Sequence, residues 1–481
     1  MRRRDFLLIA AAGVASATFP PALLRAETAR ATRKTNEPAD RPPNILLIMA
    51  DVLGARELGC YGHTKHQTPH LDALARTGVR FRTCYSTPVC SPTRMMLMTG
   101  QYGFRNGWCD MRNRPGGPGD SPKANLGDFH VTFADLLKRR DCATAVAGKW
   151  QLPGEHPTRV FDCGFDEYLI WIYKSYLPEG VAYRGGWEKP NKKKYARYFH
   201  PGVMKNGKHL PTKPTDFGPD LYTDFLIDFM RRHRDRPFLA YYPMCLTHAP
   251  WGPTPDRPDL PLRNSPKTFE AYVEYMDKLV GRLVDALDKS GLRKNTIVMF
   301  TADNGTYGAG KYTPTELGAR VPLIVNCPGT VQSGVVSDEL VDLADFYPTL
   351  AEFCGVDLPK DRVIDGHSFA KIVQGKPGPT REWAFSFLSD TRILRDKHWL
   401  LEFNTPDDFG RFYYCGEHRD GTGYQDVTDS DRPEVVSARR RFAKILKALP
   451  APKIPKDKSL KQQEVMRRNI ARMRGRMRPR R

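Results

Sequence analysis

Along this chain, uninterrupted apolar runs alternate with stretches in which apolar residues recur every three or four positions. Asn44-Ile45-Leu46-Leu47-Ile48-Met49-Ala50 is the first such run, the pattern of a strand buried on both faces, and it stops at Asp51. Residues 71–77 read as a helix and 79–85 alternate as a strand does. A short amphipathic helix over 131–139 precedes a strand over 143–147 that delivers Gly148-Lys149-Trp150. Residues 221–233 place Tyr222, Phe225, Leu226, Phe229 and Met230 on one helical stripe. The next buried strand, 237–242, runs into Thr247-His248-Ala249-Pro250, and a longer helix follows through Tyr272, Met276, Leu279, Leu283 and Leu287. Residues 296–301 are another buried strand, ending in Asp303-Asn304-Gly305. A strand over 321–326 and a helix over 340–353 complete the alternation.

Strands alternating with helices predict an α/β fold: a large, mostly parallel mixed sheet flanked by helices. After residue 376 the texture changes to short strands at 383–388, 391–394, 398–403 and 411–414, with a closing helix over 437–449. Residues 42–375 therefore read as the main domain and 376–450 as a smaller C-terminal α+β subdomain with an antiparallel sheet. Residues 113–126, rich in Gly and Pro, read as loop. Residues 175–217 are long, polar and weakly patterned. Trp187 and Lys192-Lys193-Lys194-Tyr195 inside them suit either a grip on an anionic sugar or a solvated insertion.

The candidate chemistry centres on Cys90-Ser91-Pro92-Thr93-Arg94, continuing to Thr99-Gly100. Ser91 suits a helix N-cap, Pro92 the first helical position and Gly100 the C-terminal exit, which puts Cys90 at the mouth of a short helix. Free N–H groups and the positive dipole end favour an anion there, and Arg94 adds a fixed charge one turn in. Asp51, Asp303 and Asn304, at strand ends, supply the hard oxygen donors that calcium or magnesium requires. A buried, inert thiol is the plain alternative for Cys90. A thiolate phosphatase loop fits poorly, because Val89 precedes the cysteine and the arginine comes too soon.

Cys-x-Pro-x-Arg followed by four residues and Thr-Gly resembles the signature of the type I sulfatases, in the alkaline phosphatase superfamily, and the resemblance extends through most of residues 43–375. It implies that a maturase oxidises Cys90 to formylglycine, whose hydrate attacks sulfur. It also implies one calcium ion, rather than magnesium, held by Asp51, Asp303, Asn304 and the modified Cys90. Arg94 would steady the hydrate, Lys149 and Lys311 would bind sulfate oxygens, and His248 would hydrogen-bond the ester oxygen or protonate the alcohol. Lys311 opens Lys-Tyr-Thr-Pro-Thr-Glu-Leu-Gly-Ala-Arg-Val-Pro, similar to the family stretch after Asp-Asn-Gly. Two positions depart from the pattern. Val52 stands where the family has a second aspartate, which removes a metal carboxylate. Gln151 follows Gly148-Lys149-Trp150 where the family has a histidine that takes a proton late in turnover, and an amide cannot take one.

Composition refines this picture. The net charge of +21 is uneven: residues 1–26 carry +3 and 451–481 carry +10, leaving a mildly basic +8 for 27–450. Such a core suits anionic substrates without demanding nucleic acid. The 451–481 tail reads as a cationic arm. Met1-Arg2-Arg3-Arg4-Asp5-Phe6-Leu7 and the small apolar residues to Ala26 resemble a twin-arginine signal, followed by a polar linker over 27–41. Export through the Tat machinery to the periplasm or beyond follows as the expected location, and no later segment is long enough to span a bilayer. Ten cysteines in 481 residues make no disulfide framework. The expected function is hydrolysis of sulfate monoesters, on a sulfated carbohydrate or an aryl sulfate. The alternatives are a catalytically impaired protein of this fold that binds sulfated glycans, motivated by Val52 and Gln151, and a phosphonate or phosphate ester hydrolase.

Overall fold

The structure, a computed structural model, describes residues 41–111, 125–152, 159–172, 197–308, 310–418 and 421–451. The expected leader, nearly all of the linker and the cationic tail lie outside the described residues, as do Trp187, Lys192-Lys193-Lys194-Tyr195 and most of the Gly/Pro-rich loop.

Ten strands form the main sheet: β1 (Asn44–Ala50), β2 (Val79–Tyr85), β3 (Ala143–Gly148), β4 (Glu167–Trp171), β5 (Val203–Lys205), β6 (Lys208–Leu210), β7 (Phe238–Pro243), β8 (Thr296–Ala302), β9 (Leu323–Asn326) and β10 (Val335–Asp342). Their spatial order is β10-β2-β9-β8-β1-β7-β3-β4-β5-β6. The centre, β8-β1-β7-β3-β4, is parallel throughout, so its C-terminal ends share one edge. Antiparallel strands flank it, with β9 against both β8 and β2 on one side and β5 and β6 on the other. Every residue of β1 and β8 is buried, which is why both read as largely apolar runs without polar alternation.

Helices cover the sheet. Gly218–Arg232 starts with Pro219 in its first turn and buries Tyr222, Phe225, Leu226 and Phe229, the stripe expected from the sequence. Pro266–Lys289 is opened by a capping box between Ser265 and Thr268. A second, antiparallel sheet follows: β11 (Ala384–Leu388), β12 (Thr391–Arg395), β13 (Trp399–Asn404), β14 (Arg411–Tyr414) and β15 (Gln425–Asp426). Helix Pro433–Ala448 packs on it, Phe442 meeting Phe412 edge-on with ring centroids 5.2 Å apart. Arg392 Nη1 donates to the Leu446 and Leu449 carbonyls, satisfying acceptors at that helix's C-terminal end.

Three local expectations are corrected. Residues 340–353 are not one helix: Leu340–Asp342 end β10, and the α-helix is Phe346–Phe353. The Asp342 carboxylate accepts from Ala344 N–H at 3.1 Å and turns the chain between them. Ser91 is not the cap of the helix beside Cys90. That helix spans Cys90–Thr99, its N-cap is Val89 in extended conformation (φ −151°), and it leaves through Gly100 at φ +67° as expected. The described part of 175–217 contains the β5–β6 hairpin. All ten cysteines are unbridged.

Candidate active site

Parallel pairing places the ends of β1, β7, β8 and β3 side by side, and each end carries a polar group. Asp51 follows β1, Asp303-Asn304 follow β8, Lys149 follows β3, and His248 lies on the turn after β7. A carboxylate-lined edge at the C-terminal ends of parallel strands is where α/β sheets place their sites. Backbone bonds fix the edge: Asp303 N–H donates to the Ala50 carbonyl at 3.0 Å, Asp51 N–H to Leu246 at 2.7 Å and Thr247 N–H to Asp51 at 2.7 Å. Gly148 bends at φ +118° against β7, where a Cβ would meet the Pro243 carbonyl at 2.2 Å. Only glycine lets β3 pass this close and turn Lys149 inward.

Helix Cys90–Thr99 is buried along its whole length and delivers Arg94 into the centre. The Arg94 guanidinium donates to Asp303 Oδ2, from Nε at 3.1 Å and from Nη2, while Nη1 donates to the Lys149 carbonyl at 2.8 Å. Lys149 Nζ donates to Asp51 Oδ2 at 2.8 Å. The two carboxylates expected to hold metal and their lysine and arginine partners are thus one connected cluster, and Cys90 opens the helix that carries Arg94 into it. Cys90 is 2% exposed, its Sγ 3.9 Å from Met111 Sδ, in a small apolar group with Val89 and Leu388.

Electrostatics divide the carboxylates. Burial pushes Asp51 up, but Lys149, His248, Lys311 and Arg94 together outweigh it and hold the carboxyl far below its usual range. Asp303 is raised by burial and by repulsion from Asp51, against the pull of Arg94. Burial, then Lys311 and Arg197, push His248 well below the ordinary histidine value. Its Nδ1 faces the Ala249 carbonyl, which assigns the proton to Nδ1 and leaves Nε2 as the lone-pair nitrogen of a neutral ring.

The donor set fits a hard cation. Val52 N–H (3.0 Å) and Asn304 Nδ2 both donate to Asp303 Oδ1. The second bond turns the Asn304 carbonyl oxygen the other way. Asn304 Oδ1 and Asp51 Oδ1 are both buried with no hydrogen-bond partner among the described residues. Buried oxygens are rarely left so, and two of them beside an aspartate pair suit a calcium-type ion. Lys311 Nζ is likewise buried without a hydrogen-bond partner among the described residues, 5.5 Å from the centre of the Tyr312 ring.

Sequence reasoning missed Arg197. It comes from the chain before β5, lies 4% exposed over the Trp171 ring at 4.6 Å, and its Nη1 is 3.7 Å from Asp51 Oδ2. Nothing periodic surrounds it in the sequence; only the end of β4, which supplies Trp171, brings it to the site. Gln151 also sits here, at φ +49°, its carbonyl accepting from Ser91 Oγ at 3.3 Å and its side-chain Oε1 buried without a hydrogen-bond partner among the described residues.

The family model described as Sulfatase matches residues 43–356. The chain belongs to the sulfatase family. It is a type I sulfatase of the alkaline phosphatase superfamily, an enzyme class that hydrolyses sulfate esters. Mouse steryl-sulfatase is 31% identical to it over 455 residues, covering 78% of this chain and 70% of its own. The N-acetylgalactosamine-6-sulfatase of the dog is 32% identical over 359 residues, covering 68% of this chain and 65% of its own, so this sulfatase spans about two thirds of such relatives. Among solved structures, Ps i-CgsB superposes with a TM-score of 0.70 at 24% identity, covering 90% of this chain and 98% of that one, a likeness of fold. No helix of the described residues is long and apolar enough to cross a membrane.

Proposed function

We propose that this sulfatase hydrolyses sulfate monoesters of a carbohydrate, using a formylglycine made from Cys90 by a maturase and one calcium ion held by Asp51, Asp303 and Asn304. One observation carries the reading: Asp51 Oδ1 and Asn304 Oδ1 at one strand edge, and the Lys311 ammonium that acts on Asp51 electrostatically, are buried without hydrogen-bond partners among the described residues, complementary to a cation and to an anion together. The ion would polarise sulfate oxygens and the aldehyde hydrate would supply the nucleophilic oxygen. Sugar as the alcohol is supported by the N-acetylgalactosamine-6-sulfatase relatives and by a structural neighbour bound to a neocarrahexaose. The twin-arginine leader and export to the periplasm belong to the same proposal, since folding in the cytoplasm lets Cys90 be modified first.

This chain's own groups prepare the reaction. Lys311 and Lys149 bind the sulfate oxygens and hold charge as it develops. Arg94, fixed on Asp303, orients the residue at position 90 from one turn along its helix. His248 meets the ester oxygen: a bound anion offsets the field of Lys311 and Arg197, which raises the ring towards the protonated form needed to release an alcohol.

The test is an aryl sulfate assay on protein made beside a competent maturase, with mass spectrometry of the tryptic peptide spanning residues 83–94. An aldehyde at Cys90, with Cys84 intact as internal control, and calcium-dependent turnover lost in Cys90→Ala are expected. Tight glycan binding without turnover, or faster cleavage of phosphonate and phosphate esters in parallel, would overturn the proposal.

A further inference from the structure

Outside the catalytic set, Glu57, His63 and His66 offer one ligand atom each, all within 4.8 Å of one another. They lie on the connection between β1 and helix Pro69–Arg76. His66 Nε2 is 3.2 Å from Glu57 Oε2 and His63 Nδ1 is 4.0 Å from the same oxygen. The two imidazole rings stack at 3.8 Å, and His66 meets Phe269 edge-on at 5.4 Å. His66 is 9% exposed, and its Nδ1 and the His63 Nε2 are both buried with no hydrogen-bond partner among the described residues.

A lone His–Glu pair explains His66 but not His63. Two rings stacked on one carboxylate gain little from each other in a half-buried corner, whereas two imidazoles and a carboxylate around one point are the ligand set of a borderline metal. Tetrahedral zinc separates its ligand atoms by about 3.4 Å. The His66 Nε2–Glu57 Oε2 distance already matches, and the His63 ligand atom lies within 4.8 Å of both. Outer partners are in place as well. Arg56 carbonyl receives His63 Nδ1 at 3.1 Å, the bond that selects the tautomer with a bare Nε2, and Thr306 Oγ1 donates to Glu57 Oε1 at 2.8 Å.

We infer that Glu57, His63 and His66 form a second metal site, for zinc or a similar first-row divalent ion, distinct from the hard-oxygen site at Asp51, Asp303 and Asn304. Oxygen-only donors select calcium there, and nitrogen donors select zinc here. Thr306 also accepts Gly54 N–H at 3.0 Å. Gly54 lies three residues after Asp51, and Thr306 three after Asp303. The ion therefore braces, through Glu57 and Thr306, both loops that carry the catalytic carboxylates.

The experiment uses the full chain without a histidine tag, saturated with calcium, and titrates zinc chloride against a chromophoric chelator; cobalt(II) is then added in place of zinc to read its visible spectrum. One equivalent of zinc, a tetrahedral cobalt spectrum, and at least tenfold weaker zinc binding in Glu57→Gln and in His66→Gln are expected. Glu57→Gln keeps an acceptor for Thr306, and circular dichroism with melting temperature checks that each variant folds. Asp303→Asn, which disables the calcium set, must still take up the equivalent. No zinc uptake by the calcium-saturated protein, or uptake unchanged in both folded variants, overturns the inference. Uptake lost in Asp303→Asn and kept in Glu57→Gln places zinc at the catalytic carboxylates and overturns it equally.

Discussion

Val52 donates its backbone N–H to Asp303 Oδ1 at 3.0 Å, so the residue that replaces a second aspartate still fixes the carboxylate across the site. Its side chain contributes nothing to a cation. Its backbone is also strained: φ is +67°, a conformation that β-branched residues avoid and aspartate tolerates better. Val52→Asp therefore restores a ligand and eases the backbone in one change. Calcium binding about tenfold tighter by isothermal titration is the expected outcome. In chelator the same variant melts below the parent, because a third carboxylate is then buried close to Asp51 and Asp303.

Arg94 and Asp303 are both fully buried, and their pairing is the centre of the site. Burial opposes the charge on Arg94, but Asp303 outweighs it and the guanidinium is held above its ordinary value. Arg94→Ala leaves Asp303 charged in a buried place and frees the Lys149 carbonyl. A loss of about 3–5 kcal/mol in urea unfolding is expected, partly recovered by saturating calcium. Arg94→Lys keeps the charge but not the two-pronged contact or the bond to Lys149, and recovers less than half of the loss. Equal stability of the parent and Arg94→Ala would show that the pair is not what holds this edge together.

Gln151 places an amide where the family has a proton acceptor, and its Oε1 is buried without a hydrogen-bond partner among the described residues. An imidazole there gains a basic nitrogen within the same cluster, next to Ser91 and one residue from Trp150. Gln151→His is expected to raise kcat on an aryl sulfate by about 10²-fold, the usual worth of a positioned base. A pre-steady-state burst in the parent that disappears in the variant marks the late step as the one relieved. An unchanged kcat with an unchanged burst would mean that another group already serves as base.

The centre of this fold was readable because its strands are buried on both faces. β1, β3, β7 and β8 are buried, largely apolar runs, and each delivers its polar residue at the shared edge. The margins were not readable. β10 carries Ser337, Asp338 and Glu339 through a register shift between Ser337 and Leu340, so its alternation is lost, and its apolar end was absorbed into the helix after it. β5 and β6 are three residues each, too short for any period to show. The site divides in the same way. Asp51, Lys149, Asp303 and Arg94 are found where strand ends and the helix mouth put them. Arg197 reaches Asp51 only through tertiary packing over Trp171, and the Glu57–His63–His66 cluster has no spacing that a sequence pattern would mark.

Glu402, on β13, is buried and accepts Glu316 N–H at 2.7 Å, at the start of the short helix that follows the Lys311 segment. Burial, reinforced by the Glu316 carboxylate and only partly opposed by that N–H, Arg411 and Arg395, pushes its pKa up from 4.5 to about 8. Between those values the folded protein keeps a proton that the unfolded chain has lost. Stability therefore falls as pH rises through this window, by about 1.4 kcal/mol per pH unit from this group, and is flat with respect to it below 4.5 and above 8. Glu402→Gln preserves the acceptor and has no proton to lose. Its melting temperature is expected to match the parent near pH 4.5 and to exceed it by a growing margin up to pH 8. A margin that is constant across the window, or that shrinks as pH rises, would mean that Glu402 is already ionised in the folded protein, with Arg411 or Arg395 as its counterion.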